Sequence, residues 1–434
     1  MRNRLVLMAT CSLLAATFTA CFQDRWPEYA QQTRLDTWID SVMRQDYLWY
    51  EEIPNSNELN YFMHPTKFLQ TIVSRKNDQN YSYIDTLRQM EEPSYGFNYS
   101  LYRNPDNDTL FNALITYVLP ESPASKAGLK RGQWIVEVND SAITRKNETS
   151  LLHSRNALKL QMGEYKVEIT DEQKKGTVNK TTVTHIGGAE PVEENPINYH
   201  AVIDTENGPT GYIVYSQFKS GTPAQPEKYD RQLRSIFQEF AQAGVSNLIV
   251  DLRYNQKGSL KSAQLLASLS ADASELGETF ANLEFNRKKS DRNCTLTFDV
   301  QLTEGMQPLE LRQGVIISSS TTSGVTGVLL NCLAPLGKWA LVGSNVKCAG
   351  VATEKYISPM GNWILNPVTC RVSNLMGEDN AGNSFKANVA CSETSDLSTF
   401  LPFGNPEETL LKQAIDVIEG TTPDQSTHSF APSK

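Results

Sequence analysis

The stretch Asn247-Leu248-Ile249-Val250-Asp251-Leu252-Arg253-Tyr254-Asn255 decides the fold. A short apolar run enters a polar loop, as a buried strand does at the end of a sheet. The same punctuation recurs on either side. Gly211-Tyr212-Ile213-Val214-Tyr215, Gly314-Val315-Ile316-Ile317-Ser318-Ser319 and Trp339-Ala340-Leu341-Val342-Gly343 all read as buried strands. Amphipathic helices are expected over Tyr229–Ala243 and Leu260–Leu269, and a further one after Ser319. Strands alternating with helices indicate an α/β core, placed at residues 198–420.

Upstream the pattern changes. Gly187-Gly188-Ala189-Glu190-Pro191-Val192-Glu193-Glu194-Asn195-Pro196 has linker composition, giving a linker over 187–197. Residues 92–186 carry short alternating runs, with strands expected at Leu114–Leu119, Lys166–Thr170 and Thr181–His185. Pro120 to Asp140 reads as a strand end, a one-turn helix stopped by Gly128, a turn at Gly132 and another strand. Residues 30–91 look helical. Leu35, Trp38, Ile39, Val42 and Met43 share one helical face, and Phe62, Phe68, Leu69, Ile72 and Val73 suggest a second helix. Tyr47, Trp49 and Tyr50 read as packing.

The first residues carry an address. Met1-Arg2-Asn3-Arg4 is basic, and Leu5 to Phe18 is apolar but too short to span a bilayer as an ordinary helix. Phe18-Thr19-Ala20-Cys21 resembles a bacterial lipoprotein box, which implies a signal peptide over 1–20, lipidation of Cys21 and a tether over 21–29. The alternative is a secretory signal cut after Ala20. Either implies an exported protein of the bacterial cell envelope, on the periplasmic or the cell-surface face, and lipidation would hold it to a membrane without inserting its domains. Residues 421–434 read as a flexible tail.

Composition excludes some classes. The 434 residues carry 49 acidic and 40 basic side chains, a formal net charge of −9, which disfavours a nucleic-acid binder. Five histidines and no CxxC pair argue against a zinc site, and no phosphate loop is present, so no metal or nucleotide cofactor is expected. Cys294, Cys332, Cys348, Cys370 and Cys391 remain beyond Cys21. Export permits disulfides, and Cys370 with Cys391 could close a loop, but spacing leaves the pairing open. Cys348 is a possible nucleophile; the plainer reading is a buried or bonded cysteine.

The Pro120–Asp140 string resembles a PDZ domain. That resemblance implies that Tyr95, Gly96, Phe97 and Asn98 form the loop whose N–H groups meet a peptide's terminal carboxylate, the peptide adding as an extra strand. The alternative is a PDZ fold that only packs or gates. With the Asp251–Asn255 motif, the Gly343 strand and Leu401-Pro402-Phe403-Gly404, the chain resembles the carboxyl-terminal processing peptidases, or tail-specific proteases, serine peptidases related to the tricorn core. The resemblance implies a ClpP/crotonase-like α/β peptidase core behind a small helical N-terminal domain and a PDZ-like β domain. It also implies a serine nucleophile at a helix N-terminus, a neutral lysine base and an oxyanion loop.

Each position departs from that pattern. The oxyanion-loop glycines read Gln256-Lys257-Gly258. Counting back from Asn331-Cys332-Leu333 puts Gly324 at the serine position and Gly327 at the glutamate three residues on. Counting from Gly343 puts Ala349 at the lysine position. The expectation is a pseudopeptidase that binds peptides or unfolded protein tails. Two alternatives stay open: an active peptidase using Ser323 (or Thr322) with Lys347, and a structural partner or gating subunit of a cell-surface complex. Turn and cap chemistry is the plainer role for Ser318 to Ser323. The oligomeric state is not legible.

Overall fold

The computed structural model describes residues 26–86, 92–170, 173–421 and 430–433. The signal-like run, Cys21 and most of the tether lie outside the described residues. Two compact units emerge: Met1–Leu87 with Asn286–Lys289 and Thr353–Thr369, and Arg88–Phe285 with Ser290–Ala352 and Cys370–Lys434.

In the first unit the helix Trp26–Asp46 buries Leu35, Ile39 and Met43, which recur every four residues on one face. The second helix, Pro65–Ile72, buries Phe68, Leu69 and Ile72. Proline at its first position fixes φ and has no N–H to leave unpaired. Phe62, expected on this helix, precedes it and is 61% exposed. The unit is also less helical than expected. Tyr83–Thr86 is a strand, paired antiparallel with Trp363–Asn366, which pairs in turn with Tyr356–Ile357. Tyr47 is packed, as expected: its hydroxyl donates to Asp78 at 2.8 Å, and its ring meets Trp49 edge-on.

The second unit holds a β domain and an α/β core. The β domain is a sheet in the spatial order Phe97–Asn104, Asn107–Val118, Trp134–Val138, Leu158–Thr170, Gln173–Ile186, with all pairs antiparallel. The two strands read at Lys166–Thr170 and Thr181–His185 are parts of one long hairpin. Pro123–Lys126 forms the expected single helical turn, capped by Ser122, whose Oγ accepts from the Ser125 N–H at 3.1 Å.

The core sheet runs in the order Ile197–Thr205, Gly208–Tyr215, Asn247–Asp251, Gln313–Ile317, Trp339–Gly343, Val389–Ala390. Its first pair is antiparallel and the rest parallel. Alternation sorts the central residues onto two faces. Leu248, Val250 and Ile316 pack with the helices Lys228–Gln242, Leu260–Leu269 and Val325–Leu333; Ile249, Val315 and Ile317 pack with Thr409–Glu419. Both faces are covered, so these strands read as continuous apolar runs.

Part of the expected loose tail is packed against the core. Residues 422–429 and Lys434 lie outside the described residues, but Phe430 is buried against Phe385, and Pro432–Ser433 pairs with Ser384–Phe385. Phe430 is an apolar ring in a polar segment, and burying it repays the ordering of the chain around it.

Candidate active site and peptide groove

The strand Gln313–Ile317 leads through a hydroxyl-rich turn into the helix Val325–Leu333, with Gly324 at its N-cap. The hydroxyls do turn chemistry. Thr322 Oγ1 donates to the Leu252 carbonyl at 3.0 Å and accepts from the Ser319 N–H at 2.9 Å, while Thr321 Oγ1 donates to the Arg253 carbonyl. Ser323 donates to the Gln256 carbonyl at 3.3 Å.

Gly324 has φ +65° and ψ −127°, a conformation that favours glycine. A Cβ there would stand 2.7 Å from the Gln256 carbonyl oxygen. The nearest group facing Gly324 is thus a hydrogen-bond acceptor. Gly327, at the glutamate position, lies so close to Lys347 and Cys348 that a Cβ would overlap the Lys347 carbonyl oxygen and stand 3.0 Å from Cys348 Cα. Ala349 is buried, with only a methyl group to offer. Lys347 is exposed on the short strand Val346–Lys347, which pairs with Ser384–Phe385.

Neither Gln256 nor Lys257 takes a positive φ, so both side chains are tolerated where the family pattern has glycine. Gly258 keeps the demand: its φ is +146°, and a Cβ would overlap the Phe218 backbone. Beneath this loop lies a charge network that sequence reasoning recovered only in part. Arg253 is fully buried and bonds Asp251 at 2.7 Å and Glu408 at 2.6 Å. Arg131, from the β domain, bonds Glu408, Glu393, the Tyr254 hydroxyl and the carbonyls of Thr116 and Leu401. Its guanidinium lies 3.7 Å from the Phe400 ring centroid. Burial alone would raise the Glu408 carboxyl, but Arg253, Arg131 and the Leu411 N–H hold it at about 2. Arg131, Glu393 and Glu408 were missed as partners of the Asp251–Arg253 motif. Only Glu408 left a signal, as an acid opening an amphipathic helix.

Two clefts flank the loop, of about 390 Å³ and 220 Å³. Tyr117, Tyr254 and Gln256 line both, and the two tyrosine rings stand 5.7 Å apart. The larger cleft is rich in hydroxyls, among them Ser100, Ser319 and Ser344.

The four residues assigned to the carboxylate loop are brought together at the start of the edge strand Phe97–Asn104. Gly96 takes φ +73°, and a Cβ there would overlap Ser122. The Tyr95 hydroxyl donates to the Asn156 carbonyl at 2.5 Å. Tyr95, Phe97, Tyr99 and Leu152 line a groove of about 150 Å³, whose other walls, such as His153 and Ala189, come from the β domain and the linker after it, not from the core sheet. Asn98 faces the other way, onto the cleft beside Tyr117.

All five described cysteines are free, so the Cys370–Cys391 bridge does not form. Cys370 is buried within the strand Val368–Ser373 and Cys391 follows a strand of a different sheet. Cys348 is buried, and burial pushes its thiol up to about 12, which disfavours the thiolate a nucleophile needs. Among the described residues, no group of three His, Cys, Asp or Glu could hold a metal, and no helix is long and apolar enough to cross a membrane.

Family comparisons agree with this layout. Residues 34–83 match the Peptidase S41 N-terminal domain, 114–164 a PDZ domain and 209–326 Peptidase family S41. No curated protein matches the chain. Among solved structures, a candidate S41 protease from Bacteroides fragilis NCTC 9343 is 38% identical, with 89% of this chain and 97% of that one covered and a TM-score of 0.84. The photosystem II D1 C-terminal processing protease is 13% identical, with 83% and 93% covered and a TM-score of 0.42. Mature CPAF complexed with lactacystin is 11% identical, with 90% and 99% covered and a TM-score of 0.45. On the first of these, over nearly its whole length, the chain is a member of peptidase family S41.

Proposed function

We propose that this chain is a pseudopeptidase of its family, an exported lipoprotein anchored through Cys21 at the cell envelope. It binds peptides or unfolded protein tails through the PDZ groove and the clefts inherited from a substrate site. The observation that carries this reading is the Gln256 carbonyl facing Gly324. That oxygen leaves no room for a side chain at Gly324, and glycine itself has no nucleophile. Ala349 supplies no base. A groove walled without the core sheet supports binding over a scaffold role.

The test is proteolysis and binding by the purified chain. It is incubated with unfolded casein and a mixed peptide pool, read by mass spectrometry, beside Ser323→Ala and Lys347→Ala. No cleavage is expected in any of the three, while the chain captures peptides from a carboxyl-terminal array. Cleavage abolished in both variants would restore the peptidase reading, and an array without any captured peptide would remove the binding one.

A further inference from the structure

The core sheet ends in an unguarded strand whose residues complement themselves. Ile197–Thr205 is the outermost strand of that sheet and pairs on one side alone, with Gly208–Tyr215. Pro209 lies opposite Asp204 and has no N–H, so this pair cannot exchange hydrogen bonds. The exchanging pairs are therefore its neighbours, and Thr205, Ile203, Ala201 and Tyr199 bond inward. Asp204, Val202 and His200 aim their N–H and C=O groups outward. Among the described residues, no further strand and no hydrogen bond outside the sheet ladders meets those groups. His200 and Asp204 are exposed, as are Val202 at 40% and Tyr199 at 36%. An open edge is ordinarily blunted by lysine, proline, a bulge or a covering segment. Tyr199 to Thr205 contains neither lysine nor proline, and the one irregularity of the pair comes earlier, between Ile197 and Tyr199.

A second copy of the same strand fits this edge. Two identical strands pair antiparallel about a two-fold axis, so that each contact occurs twice. Centred on Val202, the pairing sets Val202 opposite Val202, Ala201 opposite Ile203, and His200 opposite Asp204, a ring N–H beside a carboxylate. His200, Val202 and Asp204 then meet only one another across the axis, and their outward backbone groups are all satisfied. Other two-fold registers fit worse. Centring on His200 or Asp204 sets like residues, histidine on histidine or aspartate on aspartate, directly opposite. Centring on Ala201 or Ile203 sets Val202 against His200 or Asp204. We propose that the chain forms a two-fold dimer through Ile197–Thr205, with Val202 on the axis, joining two core sheets into one continuous sheet.

Sedimentation equilibrium of the purified chain at up to about 100 μM, with thermal unfolding beside it, tests the dimer. The native chain is expected at twice the mass of one chain. Val202→Lys is expected as a monomer with the native unfolding midpoint, because its side chain is exposed and its N–H bonds nothing within the chain. His200→Asp sets carboxylates opposite each other on both sides of the axis and should weaken the dimer about tenfold. Adding Asp204→Lys to His200→Asp should restore it, which tests the register without relying on Val202. A native chain that stays monomeric throughout, a dimer that survives Val202→Lys, or a second change that fails to rescue the first overturns the proposal.

Discussion

The guanidinium of Arg131 lies 3.3 Å from the carboxylate of Glu408, both withdrawn from solvent. One comes from the PDZ domain and the other caps the last helix of the core. Removing either strips one contact from a buried network, Glu408 keeping Arg253 and Arg131 keeping Glu393, and the cost of losing one partner of such a buried set is about 3 kcal/mol. Arg131→Ala should lower the free energy of unfolding by that amount in urea titrations. Arg131→Lys should recover only part of it, because an ammonium cannot reproduce the fork that reaches Leu401, Tyr254 and Glu393 together.

Acid should act on the same network. The Glu408 carboxyl is held at about 2 in the folded chain, below its ordinary value of 4.5. A depressed carboxyl contributes stability that is present above the unfolded value and lost as pH falls through the folded one. The window is therefore about pH 4.5 down to about 2, with about 3 kcal/mol at stake. Urea midpoints measured across this range should fall, and Glu408→Gln should flatten the fall while lowering stability at pH 7.

On the pseudopeptidase reading proposed above, placing single side chains at Gly324 or Gly327 should fail to produce a peptidase. Gly324→Ser forces a side chain into a positive φ against the Gln256 carbonyl, at a cost of about 1–3 kcal/mol, and should yield no peptidase activity. Gly327→Ala should also destabilise the chain, although alanine is the better helix former by about 1 kcal/mol. Chemical denaturation of both variants, with casein cleavage for the first, checks the pair. Stable folding of Gly327→Ala would mean that the helix and the Lys347–Cys348 segment separate easily.

Thiol labelling should divide the cysteines by environment. Iodoacetamide at pH 7.5 should modify exposed Cys294 in the folded chain and leave Cys348 untouched until denaturant is added. Peptide mapping before and after unfolding reads this directly. Rapid labelling of Cys348 under native conditions would contradict its burial.

The core was legible because its strands and helices announce themselves locally. Asn247–Asp251 is apolar because helices cover both its faces, and Lys228–Gln242 shows its buried stripe in the spacing of Leu233, Ile236, Phe237 and Phe240. Pairings over long distances were not legible. Tyr83–Thr86 is a strand because Trp363–Asn366 lies beside it, far along the sequence. Arg131 finds Glu393 and Glu408 by the same kind of long closure, and no local pattern encodes it. The cysteines misled for a related reason: a permitted bridge still needs two backbones to converge.

The close approach at Gly327 bears on the history of the site. Side chains can be regained by single base changes, but space between two backbones cannot. With the Lys347–Cys348 segment resting directly on the helix, a returning glutamate would need the neighbouring strand to move first. Each intermediate on that path would be less stable than the present chain. The packing works as a ratchet against any larger side chain at Gly327, so substitutions there open to descendants of this protein only after the neighbouring strand has shifted.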